Sequence, residues 1–355
     1  MKKKIQIFTW LFLFIIMPSF LLMVPDKKES VETTPPPSKS GTAVIITGAA
    51  ARIPQEAALL EELYNRGLLK DVVFISGVSS GALNSVILNA ILTGKMTWDE
   101  YRHILFSLKN SDIFIQEGKK LPLNTAPERK FISDIVEGRL GYHTIGDLPV
   151  MTAISITHLN PFDFRKTIYR MCSRKINSES DTTLSLVDIL MASTAIPVVF
   201  PPVRIRNVKT IPDVKYIDGG VGDDHVPFKA LLDFEKFRGR EVEKVFIISR
   251  KSDNTPQVSE ELRVLGINDR GVFDKLNISI DNILKKGIVK RLEAFTLAAP
   301  EKIHETYVWI PEYDANFLLF DFGKLREQYE MTLQWAKTHS PVSISEYLLL
   351  NSRGK

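Results

Sequence analysis

Residues 71–81 read DVVFISGVSSG. The first six form an apolar run short enough for a buried strand. The glycine–serine turn Gly77-Val78-Ser79-Ser80-Gly81 follows at once. Behind it, Leu83, Val86, Ile87, Ala90 and Ile91 recur at helical spacing as far as Gly94. Upstream, AVIIT (43–47) reads as a second buried strand. It leads to a helix opened by Pro54, carrying Leu59, Leu60 and Leu63 and closed by Gly67. Strand, helix, strand, turn and helix in this order predict an α/β fold, a mostly parallel central sheet with helices on both faces.

The pattern continues outward. Thr97-Trp98-Asp99-Glu100 has the form of a capping box ahead of Tyr101, Ile104 and Leu105. Phe131, Ile132, Ile135 and Val136 predict a helix stopped by Gly138. Strands are expected at 150–157, 165–171 and 244–249, and a helix from Leu184 to Ala195 that halts before Pro197. In the tail, helices near 273–295 and 322–338 flank a strand at 306–311. No internal repeat or second linker interrupts residues 42–355, which are expected to form one domain.

The amino terminus has a different character. Lys2, Lys3 and Lys4 precede a stretch from Ile5 to Val24 whose only polar residues are Gln6, Thr9 and Ser19. A helix of that length, at about 1.5 Å per residue, spans a hydrocarbon core about 30 Å thick. Residues 1–24 are therefore expected to be a transmembrane signal anchor with the rest of the chain on the non-cytoplasmic side. The alternative is a signal peptide removed on secretion. Residues 25–41, rich in Pro, Ser and Thr, read as a stiff, solvated linker.

Composition narrows the classes. The net charge of +4 is dispersed and no aromatic residues are interleaved with basic runs, which argues against a nucleic-acid partner. One cysteine, Cys172, excludes an intramolecular disulfide and a cysteine-built metal site. The sequence sets no oligomeric state.

Three stretches could carry chemistry. Ser79 is the centre of Gly-x-Ser-x-Gly, where a nucleophile sits on a strained turn and flanking side chains would collide with strand and helix. The following helix also aims its N-terminal amides at the site. Ser80 falls in the first helical turn, so the elbow reading selects Ser79; the plain alternative is a small-residue packing turn. Gly48-Ala49-Ala50-Ala51-Arg52 lies between the first strand and its helix, where backbone amides could converge on an oxyanion. Equally, it reads as an Ala-rich connection. Asp218-Gly219-Gly220 follows apolar Tyr216-Ile217 and, by itself, reads as a tight turn.

Together these stretches resemble the patatin-like phospholipase family over about residues 43–230. That family combines a glycine-rich oxyanion loop ending in Arg-Gly, a Gly-x-Ser-x-Gly elbow and a later Asp-Gly-Gly. Between the last two it has a proline-bearing block, matched here by Ala192-Ser193-Thr194-Ala195-Ile196-Pro197-Val198-Val199-Phe200-Pro201-Pro202. The apolar run 317–322 ahead of a long helix fits the same pattern. The resemblance implies a three-layer patatin-like fold and a Ser79–Asp218 dyad, without histidine, metal or cofactor. It implies an oxyanion hole at Gly48, Ala49, Ala50 and Arg52, and Gly77, Gly81, Gly219 and Gly220 as motif support. The implied substrate is a phospholipid or another lipid acyl ester at a membrane.

The sequence departs from the family where Ala49, Ala50 and Ile53 replace the usual glycines. If such a position needs positive φ, alanine costs on the order of 1 kcal/mol there. Two other readings stay open. One is a Ser-Asp-His α/β-hydrolase drawing on His225, His304 or His339; the other is a catalytically silent, membrane-tethered domain that binds lipid or protein. Asp223 and Asp224 read as surface residues, the alternative being support for the site.

Overall fold

Thr42 and the apolar run AVII behind it form β1 (Thr42–Ile46), buried throughout, in the middle of an eight-stranded sheet. In this computed structural model the described residues are 39–115, 121–159, 166–206, 214–222, 224–251, 261, 263–266 and 287–352. They belong to a compact unit spanning Pro37–Lys355; the unit Met1–Pro36 lies outside them.

β1 pairs in parallel with β2 (Val72–Val78) on one side and β6 (Lys244–Ile248) on the other. Side chains alternate across it with the period of two that a strand imposes. Val44 and Ile46 join one buried cluster, Ala43 and Ile45 the other. The first cluster also takes residues of α1 (Ile53–Asn65), α2 (Ser80–Leu92), α3 (Trp98–Ser107), α5 (Ala126–Ser133) and α6 (Leu186–Ser193). A single turn, α4 (Asn110–Ile113), precedes α5. The second cluster takes α7 (Lys229–Arg238), α8 (Gly287–Ala298) and α10 (Ile344–Ser352). Apolar clusters therefore line both faces of the sheet, as expected of strands without a polar side.

The strand order is β4-β3-β2-β1-β6-β7-β8, with β3 Met151–Leu159, β4 Lys166–Cys172, β7 Thr306–Trp309 and β8 Val342–Ser343. Its centre is parallel, but β4 and β8 run antiparallel at the edges and β5 (Lys215–Asp218) is antiparallel to β3. The sheet is mixed rather than mostly parallel. β3 meets β2 along its first half and β5 along its second: Val78 pairs with Ser155, and Asp218 with the next residue, Ile156. One strand's register thus brings the end of β2 and the end of β5 together.

Several expected elements appear with shifted ends. The Thr97 capping box closes in both directions, Glu100 N–H on the Thr97 hydroxyl at 3.2 Å and Thr97 N–H on the Glu100 carboxylate at 2.7 Å. The helix carrying Phe131 does not run regularly to Gly138, because Asp134–Arg139 widens into a π-turn. The helix expected near 273–295 lies partly outside the described residues and is seen from Gly287.

The anchor expectation is corrected. Among the described residues no helix is long and apolar enough to cross a membrane. The longest, α9 (Leu325–Thr338), has 14 residues, a length of about 21 Å against the about 30 Å that a span requires. Residues 1–24, where the anchor was expected, lie outside the described residues.

Candidate active site

β2 runs through Gly77 and Val78, two residues beyond the expected strand, and ends on Ser79 with φ 57° and ψ −130°. That conformation is unfavourable for an L-residue and persists only where packing imposes it. The two glycines show how. A Cβ on Gly77 would come within 2.3 Å of the Gly81 carbonyl and the Ser85 hydroxyl. A Cβ on Gly81 would come within 2.2 Å of the Thr47 carbonyl. Helix α2 therefore starts hard against β1 and β2, and Ser79 occupies the sharp corner that remains.

Asp218, at the end of β5, is buried beside it. The Gly220 amide donates to its Oδ1 at 2.7 Å. Burial pushes Asp218 up to about 6, opposed by the Ser79 hydroxyl turned on the carboxylate and by that amide. Gly219 passes so close to β3 that a Cβ there would lie 2.5 Å from the Ser155 carbonyl.

The proline block joins the two sides. The Ser193 hydroxyl accepts the Ser79 amide at 2.8 Å and donates to the Ser155 carbonyl at 2.8 Å. The Ala195 carbonyl accepts the Asp218 amide at 3.0 Å. Val198, a β-branched residue at φ 73°, marks a strained turn between Ile196 and Phe200, which both face the cavity described below.

Ser80 also has a task. Its hydroxyl accepts the Ala49 amide at 2.7 Å, which removes that amide from the set available to an oxyanion. Ala50 adopts φ 49° whereas Ala49 sits at φ −137°, so one of the two alanines occupies the left-handed region. Gly48 lies against Ser79, with 3.0 Å between an added Cβ and the Ser79 Cβ. Among the described residues, the amides of Gly48 and Ala50 donate to no protein acceptor. Arg52 is buried with Nε on the Phe317 carbonyl at 2.8 Å and Nη1 on the Lys251 carbonyl at 3.2 Å. The Ala51 amide bonds the Leu319 carbonyl at 2.8 Å, so the 317–322 run clamps the loop from outside.

Beneath the loop lies a polar cluster. Glu56, wholly buried, accepts the Thr47 hydroxyl at 3.1 Å and the Asn84 amide at 3.2 Å. Ser80 contributes a further hydrogen bond and Arg250 an attractive charge. Burial nevertheless pushes Glu56 up to about 8. On the other side of Ser79 a cavity of about 90 Å³ opens, walled by Leu83, Ile87, Leu105, Ile132, Phe200 and Phe320. A water needs roughly 10–15 Å³ on the same measure, so several methylenes fit. One acidic residue, Glu128 of α5, lines it.

Sequence reading missed Glu128, Ser193 and Asp224. Asp224, expected at the surface, is buried: Arg170 holds it through Nε at 3.1 Å and Nη2 at 3.2 Å, and the Ser155 hydroxyl donates at 2.6 Å. Asp223 lies outside the described residues. His225 is buried with its pKa pushed down to about 3, chiefly by desolvation, and among the described residues its Nε2 has no hydrogen-bond partner. His339 is exposed and stacks on Trp335, and His304 sits in the turn Pro300–Glu305. None of these histidines hydrogen-bonds Ser79 or Asp218.

The site thus sets a serine on a strained strand–helix corner, beside a buried carboxylate and an apolar cavity. The chain belongs to the patatin-like phospholipase family, whose model matches residues 44–232. That membership places it broadly among lipid hydrolases. Solved structures similar to it include VipD from Legionella pneumophila, 12% identical with a TM-score of 0.36, covering 85% of this chain and 68% of that one. The type III effector ExoU is 13% identical with a TM-score of 0.34, covering 85% and 54%. ExoU in its complex with SpcU, from the type III secretion system of Pseudomonas aeruginosa, is 14% identical with a TM-score of 0.30, covering 72% and 53%. The chain thus spans about half the length of ExoU. No curated protein matches the chain.

Proposed function

We propose that the protein hydrolyses lipid acyl esters, in the manner of a phospholipase A or lysophospholipase, through Ser79 and Asp218. The observation that carries this reading is the Ser79 hydroxyl turned on the buried Asp218 carboxylate, with Ser79 itself lining an apolar cavity. Ser79 Oγ attacks the ester carbonyl while its proton passes to Asp218. The oxyanion that forms accepts from the amides of Gly48 and Ala50 and from the first turn of α2. Collapse of the tetrahedral intermediate expels the alcohol, which takes the proton from Asp218, and leaves the acyl group on Ser79. Water then gives a proton to Asp218, attacks the acyl-enzyme and releases the fatty acid as Ser79 regains its proton.

An aspartate near its ordinary pKa of about 3.9 is a weak base toward a hydroxyl. Burial of Asp218, which brings it to about 6, strengthens it while leaving it ionised at neutral pH. Ala49 and Arg52 take positioning roles in this scheme, the first held by Ser80 and the second bracing the loop on Phe317.

The test is labelling of the full chain with a fluorophosphonate, in parallel with a lipid panel in which released fatty acid is identified. Labelling and hydrolysis that both disappear in Ser79→Ala support the reading. A folded parent chain that neither labels nor hydrolyses would favour a silent lipid-binding domain.

A further inference from the structure

Glu128 is out of place in its surroundings. It is 5% exposed and lines a cavity walled chiefly by aliphatic and aromatic side chains, with Ser79, Ser80 and Thr194 also in the lining. Its hydrogen-bonding neighbour is the Thr194 hydroxyl. That hydroxyl already turns its proton to the carbonyls of Leu190 at 3.2 Å and Met191 at 3.3 Å. The neighbouring cation, Arg129, is drawn off to Asp188 at 2.6 Å. Removing a carboxyl from water without returning its hydrogen bonds is costly, and an apolar residue would fill this wall without that cost. A buried polar group aimed into a ligand cavity is the usual device for fixing a ligand's orientation.

We propose that Glu128 is a specificity residue of the acyl site, hydrogen-bonding a hydroxyl carried on the acyl chain within a few carbons of the ester carbonyl. The inference rests on the acyl-hydrolase reading above and names its substrate class more closely. A hydroxyl is the group that complements a neutral carboxyl in both directions, accepting from its O–H and donating to its carbonyl oxygen. Burial, with the Asp218 charge adding to it, raises Glu128 to about 8, which leaves the donor in place at neutral pH. Its neighbour Thr194 precedes Ala195, whose carbonyl holds the Asp218 amide, which puts Glu128 toward the Ser79–Asp218 end of the cavity. Sites built to bond a substrate hydroxyl discriminate strongly against the analogue lacking it, because their own buried group is then left unpaired.

The test compares p-nitrophenyl octanoate with p-nitrophenyl 3-hydroxyoctanoate at pH 7. The parent chain is expected to favour the hydroxy ester by about tenfold in kcat/KM, the equivalent of one good hydrogen bond. Glu128→Leu is expected to abolish that ratio, and Glu128→Gln, which keeps a donor and an acceptor, to retain part of it. Equal kcat/KM for the two esters in the parent, or an unchanged ratio in Glu128→Leu, overturns the proposal. A second readout does not need turnover: displacement of a fluorescent fatty-acid probe from the full-length Ser79→Ala chain by methyl octanoate or methyl 3-hydroxyoctanoate. Tighter displacement by the hydroxy ester, lost on adding Glu128→Leu, supports the assignment even if hydrolysis is never seen, and that combination would overturn the hydrolase reading alone. Equal displacement by the two esters overturns the assignment to Glu128.

Discussion

Two buried glutamates flank Ser79, and both are raised by desolvation to about 8. Glu56 sits under the oxyanion loop with Thr47, Asn84 and Ser80 hydrogen-bonded to it and Arg250 nearby. Glu128 faces an apolar cavity with the Thr194 hydroxyl beside it. The same perturbation therefore accompanies opposite situations. Glu56 belongs to a closed network whose members fix one another, and Glu128 has bonding capacity left for something absent from the protein. A raised pKa by itself does not separate a structural carboxyl from a functional one; the remaining hydrogen-bond capacity does.

Asp218 stands between these cases, with one amide fixed on it and one oxygen turned to Ser79, and the largest effect is expected there. Asp218→Asn should lower kcat by about a thousandfold, the scale of a lost general base. Its stability should move the other way. The native pKa of about 6 lies above the ordinary 3.8, so the native state holds the extra proton and stability falls as pH rises through that window. Thermal melts should show Asp218→Asn above the parent at pH 7, with the gap closing toward pH 4. A parent acid limb of kcat/KM far from pH 6 would contradict the assignment of the base.

Next in size is truncation of the two glutamates. Glu56→Leu removes the buried acceptor shared by Thr47, Asn84 and Ser80 and should cost about 2–4 kcal/mol in denaturant unfolding. Glu128→Leu removes a carboxyl that the fold does not use and should change stability by less than about 1 kcal/mol, or raise it. Equal losses at the two positions would break the comparison. A smaller effect separates them by pH. Both carboxyls have native values above the ordinary 4.5, so the stability tied to their protons is present at low pH and is lost as pH rises through about 8. Glu128→Gln should flatten part of the decline in melting temperature between about pH 4.5 and 8. Smallest of all, Ala50→Gly relieves a residue at φ 49° and should shift stability by no more than about 1 kcal/mol.

The sequence made some of this legible and concealed the rest for physical reasons. The elbow could be read because its glycines are imposed by contacts within one short segment, between a strand and the helix that follows. Central strands such as β1 announce themselves by apolar runs. Asp218 could be found only through the resemblance, since Asp-Gly-Gly alone is an ordinary turn, and its burial depends on β3. Glu128 stands in Pro127-Glu128-Arg129-Lys130, which looks like any solvated helical turn; only the packing of α5 over the cavity turns it inward. Asp224 was misread for the same reason, because Arg170 on another strand decides its burial. The Ala-rich loop suggested strain at several positions, yet the strain falls on Ala50 and spares Ala49.

The register of β3 also has a consequence in time. Ser79 is made before β3 and Asp218 after it, and the two meet only when β3 has paired along both β2 and β5. A growing chain that has emerged as far as β4 already carries Ser79 and still lacks Asp218. Contacts so distant in sequence are late to form, so the pairing of Ser79 with Asp218 arrives with the closing of the sheet.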